Sequence, residues 1–95
     1  MTLAVSGRVL VIGSDIQDLI RTLKNRGHEA KFANDAVQGL AQARRFVPAF
    51  VLLSKYLADE DPQLPFLFQQ IVSGVEVSIL SSAVLPTEFE CADGL

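Results

Sequence analysis

Short apolar runs alternate along the chain with segments whose apolar residues recur every three or four positions. The runs lie at 8–12, 29–33, 50–53 and 76–80. Runs of this length, rich in Val, Ile, Leu and Phe, predict β-strands. The run at 50–53 is the most apolar and predicts a central strand, whereas the more polar run at 29–33 predicts a strand at a sheet edge.

The segment after the first run predicts an amphipathic helix. Ser14 or Asp15 is expected to cap its first turn, because a short polar side chain can accept a backbone N–H there. Gly27 is expected to end it. The inward stripe is predicted by four apolar residues at helical spacing: Ile16, Leu19, Ile20 and Leu23.

Two further helices are predicted. Asn34 or Asp35 is expected to cap the second, which ends before Pro48. Its predicted inward face consists of Val37, Leu40 and Ala41. A loop with an acidic tip is expected at 55–63, followed by a third helix at about 63–73 with Pro65 in its first turn. That helix has more apolar residues than one stripe needs, which predicts either burial nearly all round or a face that binds a partner.

Strands that alternate with helices predict an α/β fold with a parallel sheet and right-handed crossovers. The 95 residues predict one domain, 1–95, with its core at about 8–83 and a tail at 84–95. No apolar run is long enough to cross a bilayer and no signal peptide is recognisable, so we expect no membrane contact. The single cysteine fits a cytoplasmic protein.

Charge is divided unevenly between the two parts of the chain. Residues 1–55 hold all eight basic and four acidic residues, whereas 56–95 hold seven acidic and no basic ones. Such asymmetry can orient a partner or a second copy, although two solvated faces would give the same pattern. The basic residues are scattered and lack interleaved aromatics, so nucleic-acid binding is not expected.

Three segments resemble the receiver domains of bacterial two-component response regulators. Residues 9–12 (VLVI) are similar to the first receiver strand, 48–54 (PAFVLLS) to the third and 77–83 (VSILSSA) to the fourth. The turn at 27–30 (GHEA) also fits. The resemblance covers about 8–83 and implies a flavodoxin-like, three-layer α/β/α fold with strand order 2-1-3-4.

The same resemblance implies a pocket that has lost its chemistry. In receivers, two acidic residues after the first strand and an aspartate ending the third bind Mg²⁺, and that aspartate is phosphorylated. Here those positions hold Gly13, Ser14 and Ser54, with Asp15 one place late, while Ser82 matches the hydroxyl on the fourth strand. We therefore expect neither a cofactor nor enzymatic activity. The chain is expected to be a pseudo-receiver that acts through protein–protein interaction in signal transduction.

Three alternatives remain open for these residues. A small ligand could bind the crevice between the first and third strands, near Gly13, Ser14, Ser54 and Lys55. Asp15, Asp59 and Asp61 could form a makeshift metal site, although helix capping by Asp15 and solvation of the loop acids are the simpler interpretation. Ser54 could be a kinase target, and the simpler interpretation is a vestigial serine. His28 is the only histidine, so an ordinary structural role is expected.

A full receiver has five strands, and the resemblance implies that this chain stops before the fifth strand and its helix. The fourth strand would then expose an edge able to pair with another chain. We expect a homodimer or a complex with a signalling protein. The candidate interface residues are Phe66, Phe68, Val77, Ile79, Leu85 and Phe89.

Overall fold

A computed structural model describes residues 7–82. The strands are Arg8–Ile12 (β1), Glu29–Ala33 (β2), Phe50–Ser54 (β3) and Glu76–Leu80 (β4). The helices are Leu19–Asn25 (α1), Ala36–Phe46 (α2), Lys55–Glu60 (α3) and Leu64–Ile71 (α4), and a 3-10 turn spans Ser14–Ile16. None of the helices in this part of the chain has the length and apolar character that crossing a membrane requires.

The four strands form one parallel sheet in the order β2-β1-β3-β4. Val9 pairs with Ala30 on one side and with Phe50 on the other, so β1 lies inside the sheet. The predicted α/β class, strand order and parallel sheet are confirmed, and the arrangement is consistent with a flavodoxin-like fold. Leu85 and Phe89, two of the candidate interface residues, lie outside the described residues.

Helices cover both faces of the sheet and create two cores. On one face α2, α3 and α4 pack over alternate residues of the strands. The largest side chains of this core are Leu10, Ile12, Val51, Leu53, Leu64 and Phe68. On the other face α1 packs over Val9, Val11 and Leu52 with Ile16, Leu19 and Leu23. Side chains alternate between the two faces along each strand, as a pleated sheet requires.

The first helix begins later than the capping pattern predicts. Neither Ser14 nor Asp15 caps it: both lie in the 3-10 turn, and α1 starts at Leu19 without a side-chain cap. The carboxylate of Asp15 accepts a hydrogen bond from Ser54 instead. The apolar stripe was nevertheless predicted correctly, because Ile16, Leu19 and Leu23 are buried.

The inward face of α2 was predicted correctly at Leu40, which packs against the core, and wrongly at Val37 and Ala41, which are exposed. Asp35 does cap the helix, accepting the backbone N–H of Gln38 at 2.9 Å. However, Val37 is 78% exposed, and the buried residues are Gly39, Ala43 and Phe46. Gly39 faces β1 instead: a Cβ at that position would lie 2.7 Å from Cδ1 of Ile12, so a larger residue would require the Ile12 side chain to move.

The predicted loop at 55–63 is also wrong in its first part, which forms α3. Ser54 caps this helix, and Lys55 pairs with Asp59 one turn later at 2.9 Å. The acidic tip therefore lies at the end of a helix. In α4, Pro65 lies in the first turn as predicted. The apolar residues of this helix lie partly in the core and partly at the surface: Phe68 is fully buried, whereas Phe66 is 59% exposed.

Val47 ends α2 in a left-handed conformation, with φ 50° and ψ 66°. The left-handed conformation costs a β-branched residue roughly 1–2 kcal/mol, whereas asparagine adopts it more readily. We expect Val47→Asn to raise the free energy of unfolding by about 0.5–1 kcal/mol. Val37→Asn is the matched control in urea denaturation: it is exposed within α2, where valine and asparagine have similar helix propensity, and should change little. Equal effects of the two substitutions would contradict this account.

His28 is buried at the start of β2, with 6% of its surface exposed. Burial lowers the pKa of His28 below its ordinary value of 6.5; a hydrogen bond to the backbone of Gly7 opposes this shift, and the charge of Arg26 adds to it. Because the unfolded chain then takes up the proton first, we expect stability to be full above pH 6.5 and to fall as the pH drops below it.

Urea denaturation between pH 7.5 and 5.5 measures this effect. His28→Gln, which cannot take up the proton, should flatten the pH dependence over that range. An unchanged slope in the variant would assign the pH dependence to other groups.

Candidate functional site

The predicted pocket lies at the carboxyl ends of the two central strands. Gly13 directly follows β1 and Ser54 is the last residue of β3. Gly13 has φ 123° and ψ 126°, and a Cβ built on it would lie 2.4 Å from Cβ of Ser54. The two residues are therefore in direct contact, and the floor of the crevice between the strands is filled by protein.

The hydroxyl of Ser54 joins three segments of the chain. It donates to Oδ2 of Asp15 at 3.0 Å and accepts the backbone N–H of Tyr56 at 3.2 Å. Ser54 itself has no exposed surface. A buried hydroxyl needs such partners, because an unsatisfied one costs about 1–3 kcal/mol. This serine thus anchors the turn after β1 to the first turn of α3.

The chemistry open to this site is narrow. A serine hydroxyl cannot form an acyl phosphate and offers a metal only a weak neutral ligand. A nucleophilic serine also needs a base, and Asp15 alone is a poor one for an alcohol. The hydroxyl of Ser54 is buried as well as bonded, so a kinase could not reach it without local opening. The geometry fits a structural role for Ser54.

The three acids of the alternative metal site are not brought together. Asp15 is engaged with Ser54, Asp59 binds Lys55 at 2.9 Å, and Oδ1 of Asp61 accepts the backbone N–H of Gln63 at 3.3 Å. Between residues 7 and 82, no three His, Cys, Asp or Glu side chains are grouped in a way that could hold a metal ion.

The other predicted pocket residues lie apart from this contact. Ser14 is exposed in the 3-10 turn. Ser82 is exposed two residues beyond the end of β4. Lys55, which could have pointed toward a bound ligand, is paired with Asp59. The structure thus brings together Gly13, Asp15 and Ser54 from the predicted set.

Sequence reasoning missed Tyr56, whose N–H completes the hydrogen bonds of Ser54. The signal was present, because a serine at the end of a strand is also a strong helix N-cap. The N-cap at Ser54 was not predicted, because residues 55–63 were expected to form a loop. Tyr56 is 66% exposed, so its ring lies at the surface beside the pocket.

The interface candidates on the described residues differ in exposure. Phe66 on α4 and Ile79 on β4 are 59% and 48% exposed. Val77 is partly buried against the core. Phe68 must be removed from the candidates, because it is wholly enclosed in that core and offers no surface to another chain.

The site consists of a hydrogen-bonded serine at the carboxyl end of a parallel, flavodoxin-like sheet. Comparison with the models of known protein families and with curated proteins gives no match for this chain. A functional conclusion therefore has to be drawn from its own residues.

Proposed function

We propose that this chain is a receiver-like binding module that acts without phosphoryl transfer, in bacterial signal transduction in the cytoplasm. The observation that carries the proposal is Ser54, which ends β3 at the position of a receiver's phosphorylated aspartate and has its hydroxyl bonded to Asp15 and to the N–H of Tyr56. The strand order β2-β1-β3-β4, which is the order expected for a receiver-like domain, supports the same proposal.

The binding surface we assign to this module is the β4 side of the sheet. Among residues 7–82, β4 pairs with β3 on one side and with no strand on the other. Ile79 is half exposed, and Val77 and Leu80 are partly buried. A strand added to such an edge gains main-chain hydrogen bonds, and a two-fold axis there would pair two copies of β4 antiparallel. The partner is a second copy or a signalling protein.

Phosphorylation is tested with acetyl phosphate and Mg²⁺, followed by intact mass. We expect no added phosphoryl group, because no carboxylate occupies the nucleophile position. A phosphorylatable receiver treated in parallel shows that the reagent is active. Phosphate that hydroxylamine removes from this protein would overturn the proposal, since it would reveal an acyl phosphate.

The binding surface is tested by sedimentation at high micromolar concentration. The wild type should self-associate, and Ile79→Lys should weaken the β4 contact at least tenfold by placing a charge at the edge. Val37→Lys is the matched control, because Val37 is exposed on α2, away from β4. A monomeric wild type would exclude the homodimer, and equal loss in both variants would exclude the β4 edge.

A further inference from the structure

The carboxyl end of the sheet is strongly acidic. The chain segments that directly follow β1, β2 and β3 all begin at this end, because the strands are parallel. They hold six exposed acidic residues, which we call the acidic end: Asp15, Asp18, Asp35, Asp59, Glu60 and Asp61. The single basic residue among them, Lys55, is already paired with Asp59.

The amino end of the sheet has the opposite charge. Here α1 and α2 finish and the strands begin. Five exposed basic residues lie at this end, which we call the basic end: Arg8, Lys24, Arg26, Arg44 and Arg45. Two acids, Glu29 and Glu76, share it. Asp18 and Asp35 at helix starts complement the helix dipole, as do the basic residues in the last turns of α1 and α2, whereas the three acids at the end of α3 do not. The separation gives the molecule a charge polarity along its strands.

A cavity of about 350 Å³ opens in the basic end. It is lined by Arg8, Glu29, Lys31, Gln42, Arg45 and Phe46. Arg8 is held in place, since its Nη1 donates to the carbonyl of Phe46 at 3.0 Å. Arg8 and Lys31 also lie over the ring of Phe46, at 5.8 and 5.7 Å from its centroid. Arg8 is also paired with Glu29, at 3.6 Å between Nε and Oε1, so the net positive charge of the cavity comes from Lys31 and Arg45. The cations are held in place before any ligand arrives, which lowers the entropy lost on binding.

We propose that this cavity and the surrounding basic end bind the acidic end of a second copy of the chain, so that copies associate head to tail. The chain carries both complementary surfaces on opposite ends of one sheet. Asp59, Glu60 and Asp61 present consecutive carboxylates at the end of α3. Guanidinium groups bind carboxylates with paired, charge-assisted hydrogen bonds, and Arg44 and Arg45 are exposed on the last turn of α2.

A second feature of the acidic end suits the same partner. Tyr56 lies in the first turn of α3 with 66% of its surface exposed, close in sequence to the three acids. An exposed tyrosine ring can stack on an incoming arginine. Tyrosine and arginine are also the residues that most often carry the energy of protein interfaces.

Head-to-tail contact has a distinct geometry from pairing at the β4 edge. It uses two different surfaces of each copy, so one pair leaves a free acidic end and a free basic end, and association continues into chains or closes into a ring. The β4 edge does not take part. The inference therefore stands apart from the proposed function and can fail without it.

Two double variants test it by mixing. Arg44→Glu with Arg45→Glu keeps only the acidic end, and Glu60→Lys with Asp61→Lys keeps only the basic end. In an Ile79→Lys background, which removes the β4 contact, each should associate at least tenfold more weakly than its parent. Mixed together, they should form a one-to-one pair, because each supplies the surface that the other lacks. Circular dichroism checks that each variant is folded.

The matched control is Arg21→Glu, an exposed charge reversal in the middle of α1, which should leave association unchanged. Raising the salt from 0.05 to 0.5 M should weaken association of the Ile79→Lys parent about tenfold, since added ions shorten the range of charge attraction.

Three results would overturn the inference: no complementation on mixing, equal weakening by Arg21→Glu, or association that salt does not change. A short oligonucleotide that binds the wild type and not the Arg44→Glu, Arg45→Glu variant at 0.15 M salt would also overturn it, by assigning the basic end to nucleic acid.

Discussion

Replacing Gly13 by alanine is expected to lower the free energy of unfolding by about 3 kcal/mol or more. Two costs combine. The backbone at Gly13, with φ 123° and ψ 126°, is open almost only to glycine. The new methyl group would also lie 2.4 Å from Cβ of Ser54 and 3.1 Å from Oδ1 of Asp15, so the turn after β1 would have to move. Small domains have only about 5–15 kcal/mol in total, so this is a large share.

Gly27→Ala separates the two costs in urea denaturation. Gly27 also has a positive φ, 89°, but nothing lies within 4 Å of the place where its Cβ would be. It should lose only about 1 kcal/mol. If the two variants lost the same amount, the close contact between Gly13 and Ser54 would be wrong. A Gly13→Ala variant too unstable to measure can be compared through its yield of folded protein.

Replacing Phe68 by alanine is expected to cost about 3–5 kcal/mol. Phe68 has no exposed surface and lies in the core between α4, α2 and the sheet. Removing its ring would take away buried apolar contacts and leave a cavity that the surrounding helices can only partly close.

Phe66→Ala makes the same change two residues away in the same helix. Phe66 is 59% exposed, so its loss should change stability by less than about 1 kcal/mol. Chemical denaturation of both variants checks the contrast. Similar losses in the two would show that α4 packs on the sheet through a different face. Because Phe66 remains at the surface, it also stays among the candidates for contact with a partner.

The sheet could be predicted from the sequence because its signal is local. Each strand is a short apolar run, and strands that alternate with helices leave few topologies open. The resemblance to receivers then supplied the order, with β1 and β3 at the centre.

The faces of the helices were harder to predict, since they depend on contacts far along the chain. Val37 is apolar and correctly spaced for an inward face, yet Gly39 is the residue that faces β1. A glycine carries no hydropathy signal. Gly39 suits this position because the side chain of Ile12 occupies the place where a Cβ would lie. The pattern alone could not identify it.

The pocket was predicted as a set of positions but not as a set of contacts. Ser54 and Asp15 were predicted from the resemblance to receiver segments, which gives no information on the hydrogen bonds that these side chains form. The hydrogen bonds from Ser54 to Asp15 and from Tyr56 to Ser54 depend on where α3 begins. Since 55–63 was expected to be a loop, that start was not predicted.

The pairing of β1 with β3 has a consequence for how the protein folds. Within residues 7–82 each neighbouring pair of strands is parallel, so no hairpin of these strands can form early and guide the rest. Val9 contacts Phe50 only after the chain closes a loop of about 40 residues, so chain entropy is lost before this contact stabilises the fold. During synthesis β1 therefore cannot gain its second neighbour until β3 has left the ribosome, whereas its pairing with β2 needs only the segment up to Ala33.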